Sequence, residues 1–241
     1  MRFALRLIRL ALKVGFSALF AACAVLAWLA LPNDRESVCY GTANAGRLEN
    51  AKRLPLSGDN FQAYWLPGWL LGRTSMHGKV RDVTTAAYRQ LATSHPDLLF
   101  VYGEASWPWG GRFWPHRTHR NGLSVDFVVP VRDWKNAAVP FPRSMWTGGF
   151  YAVEMDSKGR FPGGWIDFEA MAAHLAALRQ AKTASGIGIR RVIFDPDLQP
   201  LLFATPEGAG LARSMTFSKN RSWVRHDAHY HVDFDVPCRP G

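Results

Sequence analysis

Residues His229 to Val236 alternate, and that alternation constrains the chain more than any other feature. A period of two marks a strand, and side chains at i and i+2 then share one face. His229 and His231 therefore converge on the same side. The residues just before them, Arg225-His226-Asp227-Ala228, add another imidazole and a carboxylate. A second concentration lies far upstream, in Pro115-His116-Arg117-Thr118-His119-Arg120-Asn121-Gly122-Leu123-Ser124-Val125-Asp126. Together the two segments hold five of the eight histidines. Gly122 to Val129 alternates and then becomes wholly apolar, which predicts a buried strand carrying Asp126. Pro115 and Gly122 argue against a continuous helix before it, so His119 falls in a loop that can bend to aim it. Asp126 can face the histidine pair where the two strands are near neighbours.

Two imidazoles and one carboxylate form a suitable zinc set, with a fourth position left open for water, as a catalytic site requires. The metal lowers the pKa of that water and polarises a carbonyl oxygen. A nearby imidazole or carboxylate can then carry the proton. Asp227 either orients a neighbouring imidazole through its second ring nitrogen or is a turn residue before the strand. The sequence has no His-Glu-x-x-His motif, no Gly-x-Ser-x-Gly elbow and no phosphate-binding glycine loop. His77, His95 and His174 stand apart and read as ordinary surface or core residues.

The remaining pattern predicts an α+β fold: a small antiparallel sheet flanked by helices and carrying the zinc site, preceded by an N-terminal hydrophobic helix. Residues 32–57 read as an irregular lead-in, and 58–241 as the catalytic domain. Val80 to Ser94 has helical spacing and Pro96 follows it. Leu98 to Tyr102 and Ile189 to Phe194 read as strands, and Asp195 to Thr205 as a short helix. In Asp167 to Ala184, Phe168, Met171, Ala172, Leu175 and Leu178 share a face, with Asp167 as N-cap. Residues 132–165 are turn-rich. Residues 103–121 form a long loop in which Trp107, Trp109, Phe113 and Trp114 either pack the loop or line a binding groove.

Residues 1–31 read as a signal peptide or a transmembrane signal anchor. Arg2, Arg6, Arg9 and Lys13 precede an uncharged run, Val14 to Leu31, that Pro32, Asn33 and Asp34 end. A basic flank before an apolar run means export, with the basic end left inside. Eighteen residues just span a bilayer. Ala22-Cys23-Ala24 offers a cleavage site, but the apolar run continues past it, which favours an anchor in residues 14–31 over a removed signal. In an oxidising compartment Cys39 and Cys238 can pair and tie the ends of the exported part together, or stay as two thiols. Beyond residue 31 the other 25 basic residues stand against 19 acidic ones. That modest excess suits an anionic wall or membrane. No dense basic run or nucleic-acid-binding motif accompanies it, so nucleic acid is not an expected partner.

At the two histidine segments the chain resembles the penicillin-insensitive murein endopeptidases, within the wider lysostaphin, D-Ala-D-Ala metallopeptidase and hedgehog group. That group carries His-x6-Asp and, far downstream, His-x-His, met here by His119, Asp126 and His229-Tyr230-His231. Gly103-Glu104, Gly110-Gly111 and His226-Asp227-Ala228-His229 extend the similarity, as do Ala51 to Leu56 and Val192 to Pro196. The resemblance implies zinc ligands His119, Asp126 and His231, a catalytic His229, and further active-site histidines His116 and His226. It implies a periplasmic or exported enzyme that hydrolyses D-alanyl cross-links in peptidoglycan. Thr118, Arg120 and Ser124 depart from the family pattern, as does Trp107-Pro108-Trp109. These changes spare the ligand set and alter its rim. Two rival functions are a D,D- or L,D-carboxypeptidase trimming stem peptides, and a zinc-holding cell-wall module without turnover.

Overall fold

The computed structural model describes residues 2–30, 34–141 and 153–241. The part of the turn-rich stretch at 142–152 and the end of the apolar run at 31–33 lie outside them. The chain divides into two compact units, Met1–Asp34 and Arg35–Gly241. The first contains one helix, α1 (Arg2–Ala30). Its described apolar side chains Leu12, Val14, Phe16, Leu19 and Phe20 are exposed. Among the described residues no helix is long and apolar enough to cross a membrane.

The second unit is α+β. In chain order it contains β1 (Val38–Thr42), β2 (Ala45–Glu49), β3 (Phe61–Ala63), α2 (Leu66–Leu70), α3 (Gly78–Ser94), β4 (Phe100–Tyr102), β5 (Ser124–Val128), β6 (Val131–Arg132) and β7 (Ala138–Val139). There follow β8 (Arg160–Phe161), β9 (Gly164–Ile166), α4 (Phe168–Ser185), β10 (Gly188–Ile193), α5 (Gln199–Phe203), α6 (Gly208–Ser214) and β11 (His229–Asp235). The main sheet has the order β10-β11-β5-β4-β3. Its pairings are antiparallel except β3 with β4, which run parallel. This corrects the expectation of a wholly antiparallel sheet. The physical reason is α2 and α3, which supply the long crossover that a parallel pair requires. Residues 38–49, expected to be irregular, form the β1–β2 hairpin. The turn-rich region contributes a small second sheet of order β7-β6-β9-β8.

The strands predicted around Asp126 and the histidine pair are adjacent, and their register decides the site. Asp126 lies opposite His231 and Ser124 opposite Asp233. Period two then sorts the side chains. Phe127 of β5 and Tyr230 of β11 face α4, where the buried His174 lies 4.8 Å from the Phe127 ring and 2.6 Å, through Nδ1, from the Tyr230 hydroxyl. Tyr88 of α3 and Phe100 of β4 stack on the same imidazole, each at 5.2 Å. The helical layer therefore covers one face of the sheet, and Asp126, His229 and His231 occupy the other. Helix α4 is as the sequence predicts: the Asp167 carboxylate accepts from Ala170 N at 2.9 Å, and Gly186 ends the helix at φ +65°, the left-handed turn that glycine allows.

Candidate metal centre

His231 is fully enclosed between two carboxylates. Its Nδ1 lies 2.8 Å from Asp126 Oδ1, and its Nε2 lies 2.8 Å from Asp233 Oδ1. Burial pushes the imidazole down, but Asp233 and Asp126 outweigh it and raise the group to about 10. The same contacts act on the acids: burial pushes Asp126 up, and His119 and His231 hold it well below the usual carboxylate range. Without a metal, the ring thus carries a proton between two anions. A cation beside Asp126 would take the place of the proton on Nδ1.

His119 reaches the same carboxylate from the loop before β5. It sits at φ +65°, which is rare for a residue with a side chain and costs about 1–2 kcal/mol. Its Nδ1 lies 2.8 Å from the Ala105 carbonyl, which can only accept, so Nδ1 carries the hydrogen. Nε2 is left as the lone-pair atom, buried, without a hydrogen bond of acceptable geometry, and 3.3 Å from Asp126 Oδ1. A buried imidazole nitrogen of this kind beside a carboxylate is what a metal ligand looks like before the metal arrives, and the donor set suits zinc. Gly103 makes the approach possible: its N donates to the Asp126 carbonyl at 2.6 Å, and a Cβ there would meet that oxygen at 2.9 Å.

The other three predicted site histidines lie around these residues. His116, His119 and Asp126 offer ligand atoms within 4.8 Å of one another, which makes them a candidate metal group as well. His116 Nδ1 is 3.9 Å from Asp126 Oδ2, and its Nε2 is 2.5 Å from Glu104 Oε2. His229 is buried, and burial pushes its imidazole well down. The ring of His226 lies 4.5 Å from that of His229 and 6.2 Å from that of His231. His226 is also lowered by burial, and its Nδ1 donates to the Val224 carbonyl at 2.7 Å. Asp227 does not orient an imidazole. Its carboxylate accepts from Met155 N at 2.9 Å, from Ala228 N at 3.1 Å and from Arg225, which makes it an anchor for the turn before β11.

Two acids of the centre received no role from the sequence. Asp233 is one, although it continues the period of His229 and His231 by one further step. Glu104 is the other. It is buried, bonded to Tyr64 Oη at 2.6 Å, to Arg73 and to His116. Burial pushes its carboxyl up, but His116 and Arg73 prevail and hold it at about 2. The tryptophan loop divides its work. Phe113 is buried against the rings of His116 and His119, at 5.4 and 5.6 Å, whereas Trp109 and Trp114 stand exposed.

The unit is α+β, and on the sheet face opposite the helices it carries a His/Asp group that could hold a metal. The chain belongs to the penicillin-insensitive murein endopeptidase family, whose pattern it matches over residues 39–240. No curated protein is similar enough to count as a match. Family membership makes the chain a peptidoglycan hydrolase and places its work outside the cytoplasm, where peptidoglycan is.

Proposed function

We propose that the chain is a zinc-dependent murein DD-endopeptidase that hydrolyses D-alanyl cross-links, with His119, Asp126 and His231 as metal ligands. The observation that carries this reading is the meeting of His119 Nε2 and His231 Nδ1 at one oxygen, Asp126 Oδ1, at 3.3 and 2.8 Å. Zinc held there supplies a polarised peptide carbonyl and an acidified water. The rest belongs to the chain's own side chains. Ala105 holds the hydrogen of His119 on Nδ1 and so keeps Nε2 a donor of its lone pair. His229, kept neutral by burial, takes a proton from the attacking water, and His226 beside it is the second carrier. His116, tied to the Glu104 anion, holds the substrate side of the site. The exposed Trp109 and Trp114 supply apolar walls for the stem peptide. Export follows from the basic flank and apolar run of residues 1–31.

The test uses the full chain, purified with zinc and incubated with cross-linked muropeptide dimers. Dimers should become monomers, a chelator should stop the reaction, and added zinc should restore it. His231→Ala should lose both zinc and cleavage, while His116→Ala should keep the metal. The reverse pair of results would move the ligand role to His116. Release of a terminal D-Ala from intact dimers would make the chain a carboxypeptidase, and bound zinc with no turnover a binding module.

A further inference from the structure

The register of three strands places Asp233 between two partners. Arg191 of β10 lies opposite it on one side and Ser124 of β5 on the other. Both side chains donate to it: Arg191 Nε to Oδ2 at 2.6 Å, and Ser124 Oγ to Oδ1 at 2.6 Å. Oδ1 is also the atom 2.8 Å from His231 Nε2. A carboxylate with two such donors is an anion and can only accept, so Nε2 of His231 must carry the hydrogen of that third bond. An ion pair with Arg191 alone would need only Oδ2. The second oxygen, buried and braced by a serine, is aimed at the histidine instead.

We propose that Asp233, braced by Ser124 and Arg191, is the positioning residue of the centre: it fixes the His231 ring so that Nδ1 is the atom offered beside Asp126. The proposal rests on the reading of His231 as a ligand. Carboxylates that hold the far nitrogen of a ligating histidine set both ring orientation and basicity, and their loss weakens metal binding about 10- to 100-fold. In this chain the register of β5, β11 and β10 delivers both the ligand pair and its support.

Zinc affinity of the full chain, measured by competition with a chromophoric chelator, tests this without reference to turnover. Asp233→Asn should bind zinc about 10- to 100-fold more weakly while its metal-free form stays folded by circular dichroism, though it melts at a lower temperature. The exchange variant Ser124→Asp/Asp233→Ser returns a carboxylate to the same histidine from the opposite strand, and it should recover most of the lost affinity. A merely structural role for Asp233 would not produce that recovery. Parent-like zinc binding by Asp233→Asn, with binding lost in His231→Ala, would overturn the proposal and leave the ligand reading standing. Unchanged binding in His231→Ala would overturn the ligand reading itself. Where Asp233→Asn does not fold, the exchange variant decides: weak zinc binding by the folded exchange protein refutes the positioning role.

Discussion

His174 and His231 are both buried histidines, yet their neighbours drive them in opposite directions. His231 lies between two carboxylates and is raised to about 10. His174 lies among aromatic rings, and burial pushes it down to about 3. In the unfolded chain an imidazole takes up its proton near 6.5. The folded state refuses that proton until about pH 3, so the unfolded state binds more protons throughout the interval. The contribution of His174 should therefore be complete above about pH 6.5 and fall as the pH drops below it, with a slope from this group approaching about 1.4 kcal/mol per pH unit. Urea titrations of metal-free protein between pH 7 and 4.5 measure it. His174→Gln should be less stable at pH 7 but show a shallower acid limb, and parallel limbs for the two proteins would clear His174 of the effect. Spacing alone set His174 apart as an ordinary residue, and it is buried in the core, whereas His231 repeats at i+2 from His229. Charge state was not legible, since it depends on Asp233 and Asp126, and Asp126 lies 105 residues away along the chain.

At the scale of elements, α4 was the most legible part of the fold, because eighteen residues give its apolar stripe many turns over which to repeat. Strands β6 to β9 have two or three residues each, too few for a period to register. The β1–β2 hairpin was missed for a different reason: its burial pattern has little alternation, and the disulfide from its Cys39 to Cys238 helps to hold it in place. Asp167 carries two tasks at the start of α4. One oxygen caps the helix at Ala170 N, and the other accepts from Arg132 Nε at 2.6 Å. Loss of a cap costs about 0.5–2 kcal/mol. Asp167→Ala also strips Arg132 of this partner, so its cost should fall at the upper end of that range. Chemical denaturation should show this loss with zinc affinity unchanged, because α4 packs on the sheet face opposite the metal centre. A parallel loss of zinc would mean that the two faces are coupled through β5 and β11.

At the scale of the whole catalytic unit, the chain closes on itself. Cys39 of β1 and Cys238, just past β11, form a disulfide with Cα atoms 4.8 Å apart. Backbone bonds run alongside it: Arg239 N donates to Cys39 O and Gly41 N to Arg239 O, each at 2.9 Å. The hairpin tied down in this way is also the support of the histidine loop, through Leu48 N to Trp109 O, Arg120 N to Ala43 O and Gly111 N to Gly46 O. A bridge closing a loop with a sequence separation of 199 residues acts mainly by restricting the unfolded chain, and its loss should cost about 2–5 kcal/mol. The grip on the loop, by contrast, is made chiefly of backbone bonds, with one side-chain contact to sulfur, Asn121 Nδ2 to Cys238 Sγ at 3.7 Å. The two effects should therefore separate. Cys39→Ser/Cys238→Ser should unfold at a clearly lower urea concentration, yet cleave muropeptide dimers at nearly the parent rate before unfolding begins. Activity lost without denaturant, with the unfolding midpoint in place, would instead show that the bridge holds the site through the hairpin and not merely the fold.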